Sequence, residues 1–113
     1  MESETIQYIQ KALQDRLVAL GFTELSERTV SHEGKAFTEY GITIEQAERF
    51  IWKEHQELFP FIRNNGKIGG KFTWTVFESR GNFICTTDDP FTARLAGVER
   101  VIEILEERQK TTN

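Results

Sequence analysis

The residues of this chain best suited to chemistry are three cations in a glycine-rich stretch. Arg63, Lys67 and Lys71 lie among three glycines between positions 63 and 71. Glycines leave backbone N–H groups accessible and the cations add positive charge, so such a loop can hold a phosphate or a carboxylate. Asn65 and Phe72 break the Walker A pattern, and a strand rather than a helix is predicted to follow. The stretch therefore offers a small-anion or nucleotide site as an alternative function, beside the simpler interpretation of a solvated turn.

Neither histidine has the surroundings of a catalytic group or a metal ligand. His55 falls on the apolar stripe of a predicted helix, where a histidine is more often a hydrogen-bonded boundary residue than a catalyst. Residues 54–57 lack the second histidine of a zinc-protease helix, and His32 lies in a predicted turn with no partner nearby in the sequence. We therefore assign no chemistry to either side chain.

Two adjacent carboxylates, Asp88 and Asp89, could hold a metal ion or take part in acid–base chemistry. Pro90 follows them directly, and an aspartate before a proline is typical of a helix start, where the carboxylate accepts hydrogen bonds from free backbone N–H groups. Asp88 adds negative charge that is favourable at a helix N-terminus. Because capping explains both residues, we predict no catalytic residue, no metal site and no cofactor.

The net charge of the chain limits the classes of partner that it is expected to bind. The 113 residues carry a net charge of −4 and a pI of about 5.2, whereas proteins that bind nucleic acids through phosphates usually present a basic face. Small folds that bind double-stranded RNA also end in two strands and a helix, but they place lysines where this chain has the Asp88-Asp89-Pro90 segment. The charge thus argues against nucleic acid and against docking on an anionic membrane.

The aromatic residues are the other feature that points to function. Nine Phe, two Trp and two Tyr are a heavy load for a chain of this length. Phe50 and Trp52 flank the apolar stripe of one predicted helix, and three more apolar residues follow the helix. Rings at the border of a core often anchor interfaces. The predicted interface comprises Phe50, Trp52, Phe59, Phe61 and Ile62; the alternative interpretation is a wide buried stripe.

Periodicity predicts the elements of the first half of the chain. Apolar residues at steps of three and four predict a helix over 4–20, capped by Ser3 and ended by Gly21. A turn at 33–34 predicts a hairpin within 23–42. Its expected cross-strand pairs are Val30 with Phe37, Arg28 with Glu39 and Leu25 with Ile42. A capping box of Thr43 and Gln46 predicts a helix from Ile44 to about Leu58.

The second half is predicted to contain a loop over 64–71, strands over 72–77 and 83–87, and a long helix from Pro90 that frays after about residue 110. The expected cross-strand pairs are Val76 with Cys85 and Phe77 with Ile84. Cys85 is the only cysteine, so it can form no intramolecular disulfide and is expected to be a small buried hydrophobe.

Together these elements give the order α-ββ-α-ββ-α. We expect a single α+β domain over 1–113, with an antiparallel sheet of two hairpins and helices packed on one face. The N-terminus lacks the features of a signal peptide, and no window has the apolar length of a membrane span. The expected location is the cytoplasm.

The function expected from these features is that of a small non-catalytic interaction module that binds another protein or a second copy of itself. The small-anion site at 63–71 is the first alternative. A second alternative is an acidic inhibitor or immunity-type protein, whose carboxylates would dock on a basic target.

Overall fold

The computed structural model describes residues 8–111. The helices are α1 (Lys11–Ala19), α2 (Ile44–Glu54) and α3 (Pro90–Thr111), with a short 3₁₀ turn over Gln56–Leu58. The strands are β1 (Ser26–His32), β2 (Lys35–Gly41), β3 (Phe61–Ile68), β4 (Lys71–Phe77) and β5 (Phe83–Thr87). They form a two-stranded sheet, β1-β2, and a three-stranded sheet, β3-β4-β5, both antiparallel. The predicted α+β class is confirmed, with one strand more than expected and the strands divided between two sheets.

The long helix α3 lies between the three-stranded sheet and the other two helices. On one side it packs over β4 and β5, and on the other it contacts α1 and α2. Two ion pairs fasten the helices to each other: Arg16 of α1 with Glu106, and Glu48 of α2 with Arg94. Because α3 is covered on two sides, it buries seven residues: Ala93, Gly97, Val98, Val101, Ile102, Ile104 and Leu105.

Helix α1 begins later than its periodicity predicts. The Ile9 N–H donates to the Ile42 carbonyl at 2.9 Å, and Tyr8 forms an isolated β-bridge with Thr43. These extended contacts compete with the helix, which starts only at Lys11. The predicted cap Ser3 and the stripe residue Ile6 lie outside the described residues.

The predicted end of α1 is confirmed. The Phe22 N–H donates to the Leu17 carbonyl and the Gly21 N–H to the Val18 carbonyl, both at 3.1 Å, which are the two hydrogen bonds of a Schellman motif. Phe22 folds back into the core, where Leu17 is fully buried.

Helix α2 begins as predicted and ends earlier. The Thr43 hydroxyl accepts from the Gln46 N–H at 3.2 Å, and the Gln46 side chain accepts from the Thr43 N–H at 2.9 Å. The helix ends at Glu54, because His55 leaves helical geometry (φ −141°, ψ 46°) and the 3₁₀ turn follows. The prediction that it continues to about Leu58 was therefore wrong, although Leu58 is buried as its apolar spacing implied.

Strands β1 and β2 form a hairpin that we call the arm (residues 26–41). Val30 pairs with Phe37 and Arg28 with Glu39, as predicted, but the ladder stops short of the predicted pair between Leu25 and Ile42. All of residues 31–40 are exposed. The arm meets the rest of the described chain near Tyr8, whose ring lies under the Arg28 guanidinium at 4.6 Å and against Gly41.

The segment predicted as a loop over 64–71 is mostly strand. Residues of β3 pair with β4 on both sides of a bulge between Asn64 and Lys67. Gly69 and Gly70 make the turn with φ of 59° and 84°, the left-handed pair that a two-residue hairpin needs. The loop prediction was wrong because strand pairing, which is a tertiary contact, overrode the weak local preference of Asn and Gly.

Strand β5 has the predicted bounds. Val76 pairs with Cys85 as expected, but a register shift after Val76 places Phe77 opposite Phe83 instead of Ile84. Cys85 is half-buried and unpaired.

Helix α3 begins as predicted, since Asp89 Oδ2 accepts from the Thr92 N–H at 2.9 Å. It continues to Thr111, and residues 112–113 of the predicted frayed tail lie outside the described residues.

The molecule is broad and flat, with extents of 49 × 49 × 20 Å. Its radius of gyration is 16.4 Å, against about 13 Å for a compact domain of this length. None of the helices within residues 8–111 combines the length and the apolar character needed to cross a membrane.

Candidate functional site

A row of three phenylalanines crosses the three-stranded sheet from edge to edge. Phe61 of β3 pairs with Phe77 of β4, and Phe77 pairs with Phe83 of β5. The rings of Phe77 and Phe83 meet edge-on, with centroids 6.4 Å apart. Phe61 is 60% exposed and Phe83 is 64% exposed. We call these three residues the phenylalanine row.

The phenylalanine row lies on the sheet face that α3 does not cover. Val76 is fully buried and faces α3, since a Cβ placed on Gly97 would lie 3.6 Å from its Cγ1 atom. Successive residues of a strand point to opposite faces, so Phe77 points away from the helix. In the described part of the chain, the row is therefore open to solvent at both edges of the sheet.

Arg63 adds a cation to this open face. Its guanidinium lies 5.4 Å from the Phe77 ring centroid, in a cation–π contact, and its Nε donates to Asn65 Oδ1 at 3.1 Å. These two contacts hold a positive charge beside the aromatic rings without burying it.

Polar side chains continue the same face beyond the rings. The Asn65 amide donates to the hydroxyls of Thr75 at 2.7 Å and Thr73 at 3.2 Å, and Thr75 and Thr86 share a hydrogen bond of 3.2 Å. This network links all three strands and fixes its side chains in place. The open face thus combines an apolar end, a cation and a hydrogen-bonded polar end.

The predicted interface residues separate into two environments. Phe50 and Phe59 are half-buried and pack against the core, whereas Trp52, Phe61 and Ile62 are exposed. Ile62 pairs with Val76, so it lies on the α3 side of the sheet and away from the phenylalanine row. The structure therefore does not bring the five residues together into one patch.

Three edge-on ring contacts involve the aromatic residues of α2. Trp52 is 55% exposed and meets Phe59 edge-on at 5.3 Å. Phe50 lies edge-on between Phe22 at 5.6 Å and His55 at 5.7 Å. Trp52 and Phe50 thus stand on different sides of α2, as their spacing predicted.

A cleft of about 390 Å³ opens beside Phe50, between the end of α1 and α2. Its walls carry cations, Arg49 and Lys53, and carboxylates, Glu24 and Glu54. Both signs of charge therefore line the cleft.

The three cations of the predicted anion site do not converge. Lys67 pairs with Phe72 and Ile68 pairs with Lys71, and neighbouring pairs of a ladder point to opposite faces. Lys67 and Lys71 therefore lie on opposite sides of the hairpin. Arg63 and, by the alternation along β4, Lys71 share the open face, but Lys71 lies next to the turn, four residues along β4 from Thr75, the partner of Arg63. Most of the segment is paired strand, so its backbone N–H groups do not converge as those of an anion-binding loop would.

Asp89 makes the hydrogen bond expected of a helix cap. Hydrogen bonds from Thr92 lower the pKa of Asp89, as a helix cap requires. Within residues 8–111, no three His, Cys, Asp or Glu side chains are grouped so that they could hold a metal ion. His32 is the exposed last residue of β1 rather than part of the turn, and its Nε2 lies 3.9 Å from Glu33 Oε1, a neighbour that the sequence analysis did not assign as a partner.

Two members of the phenylalanine row, Phe77 and Phe83, were missed by the sequence analysis. The prediction of a loop removed β3 from the sheet, so no face with three strands was considered. Residues 61–65 (Phe-Ile-Arg-Asn-Asn) show no apolar/polar alternation, so the sequence carried no periodic signal for this strand.

Comparison of the chain with protein-family models, with curated proteins and with solved structures found no match. The function is therefore argued from the geometry of the surface alone.

Proposed function

We propose that this protein is a non-catalytic protein-interaction module whose contact surface is the open face of the three-stranded sheet. The observation that carries the proposal is the exposure of Phe61 and Phe83 on a face that no other described element covers. Large rings left in water at the ends of one ordered row favour burial against a partner, because burying a side chain of this size contributes about 1.5–3 kcal/mol.

The composition of the face supports a protein as the partner. Protein interfaces combine an aromatic centre with arginine and a polar rim, and Trp, Tyr and Arg dominate their hot spots. Here the phenylalanine row supplies the aromatic part, Arg63 the cation, and Asn65 with Thr73 a polar border. The net charge of −4 disfavours nucleic acid as the occupant of the same face.

The other functions weighed from the sequence have less support. The anion site loses its geometric basis, because Lys67 and Lys71 are on opposite faces. The inhibitor hypothesis rests on net charge, and the open face carries a cation rather than a cluster of carboxylates. Trp52 with Phe59 is a smaller second apolar patch that a partner could use.

The proposal predicts that substitutions on the phenylalanine row weaken binding without unfolding the protein. We expect Phe61→Ser and Phe83→Ser each to weaken association with a partner protein, or with a second copy, at least tenfold. Each should lower the free energy of unfolding by less than about 1 kcal/mol, since exposed side chains contribute little to stability. Sedimentation velocity over a dilution series and retention of lysate proteins on immobilised protein measure the association; urea unfolding measures the stability.

Phe37→Ser is the matched control, because Phe37 has the same side chain, is 49% exposed and lies on the arm. It should leave association unchanged. Association that survives both substitutions on the phenylalanine row, or a wild-type protein that binds neither itself nor any lysate protein, contradicts the proposal.

A further inference from the structure

The three-stranded sheet carries positive charges only. The chain has 18 Asp and Glu residues, yet β3, β4 and β5 contain none of them. Alternation along β4 and its pairing with β3 place two cations, Arg63 and Lys71, on the open face. Glu78, directly after β4, accepts from Arg100 on the α3 side, and Asp88 follows β5, at the sheet edge opposite Arg63. A chain of net charge −4 thus presents a locally positive face.

Arg63 is held in place with the end of its guanidinium group free. Its Nε donates to Asn65, which is itself fixed by hydrogen bonds to Thr73 and Thr75, and the Phe77 ring lies beside it. Among residues 8–111, its Nη1 and Nη2 make no hydrogen bond and no ion pair. All four arginines of α1 and α3, by contrast, pair with carboxylates of this chain. Two free guanidinium nitrogens can bind a carboxylate through two parallel hydrogen bonds.

We infer that the open face binds an extended acidic segment of another protein, which places an apolar side chain on the phenylalanine row and a carboxylate on Arg63. This inference rests on the proposed function and states the chemistry of its partner. The positive face, the free end of the guanidinium group and the exposed rings complement such a segment in charge and in apolar character. Lys71 adds a second, weaker attraction, because an exposed lysine acts as a point charge without the paired hydrogen bonds of arginine.

The spacing of the cations along β4 sets the pattern of the acidic segment. Arg63 pairs with Thr75, two residues from Phe77, and Lys71 is six residues from Phe77. At about 3.3 Å per residue, the two cations lie about 7 Å and about 20 Å along the sheet from the phenylalanine row. Every second side chain of an extended segment points the same way. The expected pattern is therefore an apolar residue with Asp or Glu two and six positions away, in either chain direction.

Two other occupants match this face less well. Single-stranded nucleic acids stack their bases on aromatic rings but also follow a positively charged groove. Here Lys71 lies four residues along β4 from the partner of Arg63, a separation of about 13 Å. A second copy docked face to face would set these cations against each other. Acidic residues elsewhere in the chain do not prevent binding, because charges further away than about 8 Å are largely screened at physiological salt.

Fluorescence anisotropy with a labelled peptide tests the inference. The probe is Phe-Ser-Glu-Ser-Thr-Ser-Glu, used in both chain directions and compared with versions that carry Gln in place of each Glu. We expect saturable binding of at least one direction. The dissociation constant of its Gln version should be at least about tenfold higher, because an amide cannot form the charge-assisted hydrogen bonds to arginine. No saturable binding, or equal binding of the Gln version, overturns the inference.

A charge exchange identifies the residue that holds the carboxylate. Arg63→Glu should raise the dissociation constant of the acidic peptide at least about tenfold. A peptide with Lys in place of the first Glu should bind this variant at least about fivefold more tightly than it binds the wild type. Arg49→Glu makes the same change of charge at an exposed arginine of α2 and should leave acidic-peptide binding within about twofold of the wild type. Circular dichroism and melting temperature establish that both variants fold, and an Arg63→Glu variant that binds the acidic peptide as the wild type does overturns the inference.

Phe61→Ser separates the failure of this inference from the failure of the proposed function. It should weaken the binding of the acidic peptide and of whole proteins alike, since both use the phenylalanine row. If Phe61→Ser abolishes association with a protein or with a second copy that the acidic peptide does not displace, the inference is overturned and the proposed face stands. If every association is kept in Phe61→Ser, the proposed function is contradicted as well. A labelled oligothymidylate that binds the wild type more tightly than the acidic peptide does also overturns the inference.

Discussion

Ile51 and Trp52 are neighbours in the chain that lie in opposite environments. Ile51 is 1% exposed in the core, while Trp52 is 55% exposed and contacts Phe59 edge-on. We expect Ile51→Ala to destabilise the fold by about 2–4 kcal/mol, because it leaves a cavity. Trp52→Ala should cost about 0.5–1.5 kcal/mol, the contribution of one aromatic pair. Urea unfolding of both variants measures the difference, and equal losses would show that the Trp52 ring is part of the core.

Glu78 is a buried carboxylate whose protonation is expected to lower the stability of the fold. Its carboxylate is 7% exposed, accepts from the Arg100 guanidinium and accepts from Asn82 Nδ2 at 3.1 Å. The Arg100 hydrogen bond, followed by that of Asn82, lowers the pKa of Glu78 below its ordinary value of 4.5. A carboxyl group with a lowered pKa in the folded state contributes stability above its unfolded pKa and loses that contribution as the pH falls through the folded value.

We therefore expect Glu78→Gln to destabilise the protein by about 1–3 kcal/mol at pH 7, the range for hydrogen bonds to charged groups. The difference from wild type should shrink as the pH falls from about 4.5 to the lowered pKa of the folded protein, because the Glu78 carboxyl of the unfolded chain takes up a proton first and that of the folded chain only at the lower pH. Urea unfolding across this pH range measures it. Glu103→Gln is the control, since Glu103 also pairs with Arg100 but is more exposed; a constant Glu78→Gln effect at all pH values would contradict the assignment.

At the scale of elements, the contact of α3 with the sheet depends on one glycine. A Cβ placed on Gly97 would lie 2.7 Å from Pro60 Cγ, closer than packed atoms allow. Pro60 directly precedes β3, so this close approach sets how near the sheet lies to the helix. Alanine is a better helix former than glycine by about 1 kcal/mol. Helix propensity alone would therefore predict that Gly97→Ala stabilises α3.

We expect the opposite result for Gly97→Ala, a loss of about 1–3 kcal/mol in the free energy of unfolding, because the added methyl group forces α3 and Pro60 apart. Thermal or urea unfolding measures it. Glu99→Ala, at an exposed position in the same turn, should change stability by less than about 0.5 kcal/mol. A Gly97→Ala variant that is more stable than the wild type would show that α3 and Pro60 can move apart without a loss of stability.

Some features of the helices and strands could be predicted from residues that are close together in the sequence. The capping box of Thr43 and the aspartate cap of α3 were predicted from the sequence and are present with their hydrogen bonds, since a cap needs only residues within one turn. The bounds of β3 and the start of α1 were not predicted, because strand pairing and the Tyr8–Thr43 bridge join residues distant in the chain.

At the scale of the whole molecule, the arm is a part that packs little against the rest of the described chain. Strands β1 and β2 pack mainly on each other, and an isolated two-stranded hairpin is marginally stable in water. We expect amide hydrogens of the arm to exchange through local opening much faster than those of β4 and α3, which should exchange only on global unfolding. Hydrogen exchange followed by mass spectrometry measures this. Equal protection of the arm and β4 would mean that a partner or an additional contact holds the arm in place.

The sequence by itself determined the presence of the helices, the caps that begin α2 and α3, the end of α1, two of the three predicted pairs of the arm and the α+β class, because each follows from periodicity or from chemistry within a few residues. It also provided the aromatic surplus, and with it the expectation of an interface. Only the tertiary structure decided which rings are exposed. Phe61, Phe77 and Phe83 form a row because three strands pair in one register, and that face is open because α3 covers the other. Burial and strand register depend on residues far apart in the chain, so a periodic pattern along it could not place them.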